Sequence, residues 1–338
     1  MVYSILFSVV LAAAPTESQY EWKQITSDAG FMPRDGAGVV VLNGRGFMLG
    51  GWNPGKLGSH DPTTNDVWSF DGDNSWVQLS NAPWEARHCA GYVPFQRRMW
   101  VLGGDALKKH YQVDAWSSED GVNWRAEAQL PWGHRVGAVV GTLGRKLIAL
   151  GGQSRPSDVE SFVTEGAPED RFYADVWATE DGRNWQRLVE EAPWAGRGWI
   201  QGLPEFQGYV WLVGGGTYET RGHPGPRTYF DDVWRSKDGA KWERVIEHAP
   251  WQKREFHNVV AWDGKLWVVG GGYSGRNLAD VWWSKDGKEW VEVESEASPG
   301  PRHAAAVFAL KSSLYLAGGN CALGSGLCSD VWVLRKRP

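Results

Sequence analysis

The sequence predicts an all-β protein built from six repeats of about 50 residues, a periodicity typical of propellers and related arrays. In each repeat a Gly-Gly pair ends a short apolar run, and a triplet resembling Asp-Val-Trp follows. The pairs begin at Gly50, Gly103, Gly151, Gly214, Gly271 and Gly318, and the triplets begin at Asp66, Asp114, Asp175, Asp232, Asp280 and Asp330. Because one unit recurs from Arg34 to Trp332, we expect a single domain with one blade per repeat.

The fifth repeat indicates how one unit folds. Residues 256–262 are rich in β-forming side chains and predict an inner strand, which is followed by an Asp-Gly dipeptide typical of tight hairpins. A second strand is predicted over 265–269, and the glycines after it indicate close backbone packing. Residues 280–284 predict a third strand, and a second Asp-Gly turn leads to a fourth that ends at Val293. We therefore expect four antiparallel strands per repeat.

The last repeat predicts how the ring of blades closes. Its strands are expected around 303–309, 313–317 and 329–335, which leaves the blade one strand short. Residues 20–25 predict a strand at the other end of the chain. An N-terminal strand that completes blade six removes an open sheet edge, so loss of residues 20–26 should destabilise the whole fold.

These recurring phrases resemble kelch repeats: Pro-x-Arg or Trp-x-x-Arg, an apolar strand, Gly-Gly and then a Trp. The resemblance implies a six-bladed kelch β-propeller of four-stranded antiparallel blades over residues 15–338. Two repeats depart locally, with Ala115 in place of Val and an unusual inner strand at Gly198-Trp199-Ile200. The resemblance also implies that the loops leading into the inner strands and the loops after Gly-Gly share one face, here called the mouth.

The composition contains 23 tryptophans and a net charge of −5. Six tryptophans lie in the triplets and six more recur at a second repeated position, so twelve of the 23 are periodic core candidates. Abundant Trp is therefore not by itself a signal for carbohydrate binding. The negative net charge gives no reason to expect a nucleic-acid partner.

Residues 1–14 carry an apolar run that is too short to cross a bilayer as a helix. Its small-residue end near Ala14 is typical of a secretory signal peptide, and the alternative is a frayed or membrane-lying terminus. We expect an exported monomer, periplasmic or secreted, that does not span the membrane. Cys321 and Cys328 could form a disulfide in an oxidising compartment, and Cys89 is expected to be a buried free thiol.

One arginine per repeat precedes the inner strand, and these six are predicted to converge on the mouth: Arg34, Arg87, Arg135, Arg197, Arg254 and Arg302. A second predicted set follows the glycines: Trp52, Asp105, Gln153, Thr217, Tyr218, Tyr273 and Asn320. Guanidinium groups beside aromatic rings attract carboxylates, phosphates or sulfates through charge-assisted, often bidentate bonds. The alternative is that each arginine ties its own blade together.

The blade-four loop over 216–230 is the richest candidate segment for ligand contact. It supplies Tyr218, Arg227 and Tyr229, together with the acid Glu219. Long loops in compact domains commonly carry function. A solvated cover loop is the alternative.

The residues leave three classes of function open. The first is recognition without catalysis, of a small anionic ligand, a glycan or an extracellular peptide. A protein–protein interaction scaffold belongs to the same class. The second is an enzyme: the chain resembles exported sialate mutarotases in blade count, N-terminal segment and Arg-lined face. That chemistry needs an acid–base carboxylate beside the sugar, for which Glu219, Glu255 and Asp105 are candidates, with Arg197 or Arg227 on the substrate carboxylate.

The third class, a copper radical oxidase like galactose oxidase, is disfavoured because that enzyme's flanking domains have no counterpart here. His88, His257 and His303 begin inner strands and could meet as a metal site, but histidines with ordinary hydrogen bonds are the expected alternative. No metal and no cofactor is predicted.

Overall fold

The computed structural model describes residues 19–55, 62–73, 75–105, 111–154, 171–218, 227–321 and 326–337. These residues form strands, turns and loops, and they include no helix with the length and hydropathy needed to cross a membrane. The predicted signal segment, residues 1–14, lies outside the described residues.

The described residues contain 29 strands. The first fifteen are β1 (Tyr20–Thr26), β2 (Gly38–Leu42), β3 (Arg45–Leu49), β4 (Val67–Phe70), β5 (Trp76–Gln78), β6 (Gly91–Phe95), β7 (Arg98–Asp105), β8 (Tyr111–Ser118), β9 (Trp124–Gln129), β10 (Val139–Leu143), β11 (Lys146–Leu150), β12 (Gln153–Ser154), β13 (Arg171–Phe172), β14 (Val176–Thr179) and β15 (Gln186–Val189). The others are β16 (Ile200–Gln201), β17 (Glu205–Phe206), β18 (Tyr209–Gly216), β19 (Tyr229–Ser236), β20 (Trp242–Ile246), β21 (His257–Trp262), β22 (Lys265–Val269), β23 (Gly272–Tyr273), β24 (Arg276–Asn277), β25 (Val281–Ser284), β26 (Trp290–Glu292), β27 (Ala306–Leu310), β28 (Ser313–Ala317) and β29 (Val331–Lys336).

Six antiparallel blades stand around a central axis, which confirms the predicted all-β, six-bladed propeller. The blades are, in order, β2–β5, β6–β9, β10-β11-β14-β15, β17–β20, β21-β22-β25-β26, and β27–β29 with β1. Neighbouring inner strands contact one another around the axis. Two short hairpins, β12–β13 and β23–β24, project from the ends of second strands in blades three and five.

The ring closes as predicted, with β1 as the outer strand of blade six. It pairs antiparallel with β29, so that Trp22 lies opposite Leu334. Tyr20 and Trp22 are buried and pack with Trp267 of the preceding blade. The first and last strands of the described chain thus lie in one sheet, so blade six is built from residues that are far apart in the sequence.

One hydrogen-bond network recurs in all six blades and explains the recurring sequence phrases. In blade two, Arg87 donates from Nη1 and Nη2 to the carboxylate of Asp114 at 2.7 and 3.1 Å. Arg87 also donates to the carbonyl of Gly103, and the indole of Trp116 donates to Asp114 at 2.7 Å. The equivalent Arg–Asp pairs are Arg34–Asp66, Arg135–Asp175, Arg197–Asp232, Arg254–Asp280 and Arg302–Asp330.

The paired glycines join neighbouring blades at five of the six junctions. The amide of Gly152 donates to the backbone carbonyl of Arg197 at 2.8 Å, and Gly319 donates to Arg34 across the closure. At Gly151 φ is +63°, and a Cβ would stand 2.2 Å from the Arg197 carbonyl, so only glycine fits there. In the fifth repeat this role belongs to Gly270 and Gly271, which corrects the predicted pair by one residue.

The core lies between blades. Buried apolar side chains of neighbouring sheets form clusters at the blade interfaces. Tryptophans reinforce them in edge-to-face pairs, with ring centroids 4.7–5.9 Å apart: Trp84–Trp124, Trp132–Trp185, Trp194–Trp242 and Trp251–Trp290. Trp124, Trp185, Trp242 and Trp290 are thus structural, as their periodicity predicts, and the tryptophans that precede four of the repeat arginines pack against them.

Blade four has the unusual inner strand that its sequence indicates. Its inner strand β17 is only two residues long, and the preceding residues Ile200–Gln201 instead pair in parallel with β21 of blade five. Trp199, at the start of this segment, adopts φ of +60°. The Trp199 ring lies at the mouth.

Candidate functional site

A ring of backbone hydrogen bonds forms the floor of the mouth. The residue two positions after each repeat arginine has positive φ: Gly36, Cys89, Gly137, Trp199, Phe256 and Ala304. Amide groups in this ring donate to the carbonyl of the neighbouring blade, as from Cys89 to Gly36 at 2.9 Å and from Ala304 to Phe256 at 2.8 Å. Cys89 is half-buried in this ring and lines the cavity above it, which corrects its prediction as a buried core thiol.

Above the floor lies a cavity of about 400 Å³, here called the mouth cavity. Eight of the predicted site residues line it: Trp52, Asp105, Tyr218, Arg227, Tyr229, Glu255, Tyr273 and Asn320. A second cavity of about 390 Å³ continues along the axis between the inner strands, and Cys89, Trp199 and Phe256 border both.

The six repeat arginines do not line this cavity, which corrects their prediction as ligand contacts. All six are buried, with at most 5 % of their surface exposed, and each bonds the aspartate of its own blade. A guanidinium that is saturated by a buried carboxylate and a carbonyl has few donors left for a ligand. Each arginine instead ties its own blade together, as the alternative prediction states.

In four of the six blades, the residue directly after the repeat arginine forms part of the cavity wall instead. The six residues at this position are Asp35, His88, Val136, Gly198, Glu255 and His303, in order around the axis. Four of them are ionisable and line the cavity, in blades five, six, one and two. On the side of blades three and four, Trp199 packs with Val136 and Tyr218. The wall is therefore polar on one side and aromatic on the other.

The half-buried Arg227 and the buried Glu255 form an ion pair at the wall. The Arg227 guanidinium also lies 4.2 Å from the centre of the Tyr218 ring and 5.5 Å from that of Tyr229. Gln153 lies behind this group and accepts from the Trp199 indole at 2.8 Å and the Tyr218 amide at 2.9 Å. Gln153 therefore positions the aromatic side and does not line the cavity.

A tight hairpin in blade five places a second arginine at the rim. Strands β23 and β24 pair Tyr273 with Arg276 across a two-residue turn in which Ser274 and Gly275 have positive φ. Arg276 is exposed and lines the cavity, and among the described residues no carboxylate lies within ion-pair distance of it. The sequence reasoning missed Arg276.

A chain of hydrogen bonds links His303 to Asp35. His303 Nδ1 is 2.6 Å from Asn277 Oδ1, and Asn277 Nδ2 donates to the backbone carbonyl of Asn320 at 2.8 Å. The side chain of Asn320 in turn hydrogen-bonds Asp35. Burial raises the pKa of Asp35 to about 6, although His88 and Asn320 oppose this. Burial and the charge of Arg227 lower the pKa of His303 to about 4.

His88 has the opposite character. Burial by itself lowers the pKa of His88, but the neighbouring Cys89 and Asp105 raise it above its usual range. Its Nδ1 lies 3.0 Å from the backbone carbonyl of Asp105. Cys89 and Asp105 therefore favour the protonated form of His88 beside Asp35.

The three strand histidines do not meet as a metal site. His257 is buried in blade five, with Nε2 2.9 Å from the carbonyl of Val213. The one group of three metal-type ligands found in the described part of the chain consists of Cys321, Cys328 and Asp330. Those cysteines form a disulfide, with Cα atoms 6.0 Å apart.

Of the three catalytic candidates, Asp105 and Glu255 lie at the cavity and Glu219 lies outside the described residues. The sequence reasoning missed Asp35, Asn277 and Phe256 as lining residues. A signal for the wall was present: the six repeats differ in charge and polarity at the position after each arginine. A residue that stabilises every blade recurs in every repeat. Different residues at an equivalent position therefore indicate a role other than blade stability.

Fold and site together define a six-bladed β-propeller with a mixed polar and aromatic cavity at its mouth. The chain is similar to the solved structure of YjhT, with a TM-score of 0.66 and 16% sequence identity. The similarity covers 91% of this chain and 96% of the YjhT chain. At that identity the likeness shows the fold alone. No family model matches the sequence, and no curated protein matches it. Membership of the kelch family therefore stays a prediction.

Proposed function

We propose that the protein binds a small sugar acid in the mouth cavity. Arg276 carries the proposal, because it is an exposed cation at the rim with no carboxylate partner among the described residues. The other arginine of the cavity, Arg227, is already paired with Glu255. A ligand carboxylate at Arg276 would gain a charge-assisted bond without breaking an existing ion pair.

The rest of the cavity supports a sugar as the body of this ligand. Its volume of about 400 Å³ lies within the usual range for small-molecule sites. Trp52, Tyr229 and Tyr273 offer rings against which the C–H groups of a sugar can pack. Asp105 and Asn320 supply planar polar groups for sugar hydroxyls. A simple dicarboxylate would use neither the rings nor the hydroxyl partners.

The proposal includes kelch membership and export, in the periplasm or outside the cell, as a monomer. The Cys321–Cys328 disulfide supports an oxidising compartment but does not distinguish between these locations. An extracellular peptide remains the competing occupant, because a cavity of this chemistry also suits peptide side chains.

Thermal unfolding in the presence of candidate ligands tests this proposal. Suitable probes are N-acetylneuraminic acid and glucuronic acid, with glucose and succinate as comparisons. A ligand at 100 times its dissociation constant adds about 2.7 kcal/mol to the free energy of unfolding. We expect a raised midpoint with the sugar acids only. Equal shifts with glucose would contradict the role of Arg276, and no shift with any probe would favour a peptide or protein partner.

A second candidate function is catalysis of anomer exchange in a sugar acid, as in a sialate-mutarotase-like enzyme. The specific support is that Asp35 and His303 share one cavity while their pKa values are displaced in opposite directions, to about 6 and about 4. Such displaced pairs are typical of acid–base sites. Exchange spectroscopy by NMR would detect the activity as an exchange rate that rises in proportion to protein concentration.

A further inference from the structure

We propose that His303 is a general base in the mouth cavity and that it acts on the anomeric hydroxyl of a cyclic sugar acid. Asn277 holds the imidazole in the tautomer that has its proton on Nδ1 and its lone pair on Nε2. This inference rests on the proposed function, since it needs a sugar in the cavity. The residues to which it assigns the chemistry are not among those that recur in all six repeats. Asn277 acts through His303 and is a positioning residue.

Hydrogen-bond direction determines which imidazole nitrogen of His303 carries the proton. A backbone carbonyl only accepts, so the Asn277 group facing Asn320 must be the amide nitrogen. Asn277 Oδ1 therefore faces His303, and an oxygen there requires Nδ1 of the imidazole to be the donor. In neutral His303 the lone pair is then on Nε2. Among the described residues, no hydrogen-bond partner occupies that nitrogen.

The surroundings keep His303 neutral at physiological pH. The ring is mostly buried beside Phe256, with ring centroids 5.4 Å apart, and the positive charge of Arg227 disfavours a second cation. The carboxylate of Glu255 faces the same region but is bonded to Arg227. The other ionisable side chains that line the cavity are Asp35, His88, Cys89, Asp105, Arg276 and three tyrosines, Tyr218, Tyr229 and Tyr273.

Asp35 supplies the complementary acid. It lies on the adjacent blade and is linked to His303 through Asn320 and Asn277. Because burial raises its pKa to about 6, a useful fraction of Asp35 remains protonated in mildly acidic solution.

The resulting step balances without a co-reactant. His303 Nε2 takes the proton of the anomeric hydroxyl, and the O–H electron pair forms the new carbonyl bond. The bond from the anomeric carbon to the ring oxygen breaks, and its electron pair takes the proton of Asp35. Rotation of the open chain and reversal of both transfers close the ring in either configuration, returning each proton to its source.

Anomer exchange of N-acetylneuraminic acid and glucuronic acid, measured by NMR beside calorimetric binding, tests the inference. We expect His303→Gln to bind with little change but to exchange at least about 100-fold more slowly, the lower range for general-base catalysis. His248→Gln is the matched control, because His248 is an exposed histidine that does not line the cavity. It should exchange at the wild-type rate.

The pH profile separates positioning from packing. At low sugar concentration the wild-type rate should follow a bell with limbs near pH 4 and 6, because His303 must be deprotonated and Asp35 protonated. Asn277→Asp keeps the acceptor and adds negative charge, which raises the pKa of His303 and should move the acidic limb upward. Nitrogen-15 NMR of the imidazoles should show His303 protonated on Nδ1.

The outcomes distinguish the two proposals. If neither sugar acid binds the wild-type protein, the binding proposal fails and the inference fails with it. If a sugar acid binds and His303→Gln exchanges it as fast as wild type, only the inference is overturned. A proton on Nε2 in the NMR spectrum would also overturn it.

Discussion

The buried Arg87 and the half-buried Asp114 form a two-bond pair, with nitrogen–oxygen distances of 2.7 and 3.1 Å. Trp116 donates to the same carboxylate, so the arginine and the triplet of one repeat belong to a single network. Because the network is repeated in every blade, the ring of arginines belongs to the architecture of the propeller. Ligand recognition is then left to residues that differ from blade to blade.

Replacing Arg87 with methionine should lower the free energy of unfolding by more than the about 1 kcal/mol of an exposed pair, and by less than the about 3–5 kcal/mol of a fully buried one, because the half-buried Asp114 loses its partner. Urea unfolding followed by Trp fluorescence measures this. The matched control is Arg171→Met, which breaks the exposed pair with Glu191 and should cost at most about 1 kcal/mol. Equal losses in both variants would contradict a structural role for the buried arginine.

Truncating Trp22 to alanine should destabilise the protein by about 3–5 kcal/mol, since the ring is only 5 % exposed between blades five and six. The loss should appear in one cooperative transition, because β1 closes the ring against β29. Calorimetric unfolding checks both points, with exposed Lys23→Ala as control. A separate early transition would show that blade six unfolds without the rest.

Two glycines with similar dihedrals separate backbone strain from close contact. Gly151 and Gly144 have φ of +63° and +58°, but a Cβ at Gly144 meets nothing within 4 Å. Gly144→Ala should therefore cost about 1–2 kcal/mol, from the left-handed backbone alone. Gly151→Ala should cost clearly more, because its Cβ would stand 2.2 Å from the Arg197 carbonyl. Similar unfolding free energies for the two variants would argue against that close blade-to-blade contact.

Asp35→Asn should stabilise the protein near pH 7 and have no such effect near pH 4. Between its usual pKa of 3.8 and its folded value of about 6, folded Asp35 holds a proton that the unfolded chain has lost. Stability from this group therefore falls as pH rises through that window and stays lowered above it. At about 1.4 kcal/mol per pKa unit, the variant should gain up to about 3 kcal/mol at pH 7.

Unfolding of wild type and variant at pH 4 and pH 7 measures this difference, and titrating groups that do not interact with Asp35 cancel in the comparison. A variant less stable than wild type at pH 7 would mean that ionised Asp35 stabilises the fold. A gain in stability with loss of ligand affinity would mark Asp35 as a group kept for function.

The fold could be predicted from the sequence because repetition reports the same physical requirement six times. Gly-Gly, the Asp-x-Trp phrase and the missing strand of blade six each follow from blade packing or from ring closure. The fifth glycine pair was misplaced by one residue because three glycines are consecutive there, and only the hydrogen bond to Arg302 selects Gly270 and Gly271.

The site was predicted only in part, for the same reason. The repeated arginines predict ligand contacts around the mouth, whereas their repetition reflects the aspartates that they bind within each blade. Asn277 and Arg276 depend on a two-residue hairpin after the glycines, and nothing in a single repeat shows that its side chains reach the cavity. The direction of a side chain in a loop follows from tertiary packing, which one sequence does not display.

The central claim, that Arg276 reads the charge of a sugar acid at the mouth, is tested most directly by calorimetric titration of Arg276→Gln. Arg145→Gln, which removes an exposed arginine that does not line the cavity, is the control. Glucuronic acid should bind Arg276→Gln more weakly by about 1.5–3 kcal/mol, while Arg145→Gln and wild type bind alike. Unchanged affinity in Arg276→Gln would contradict the account.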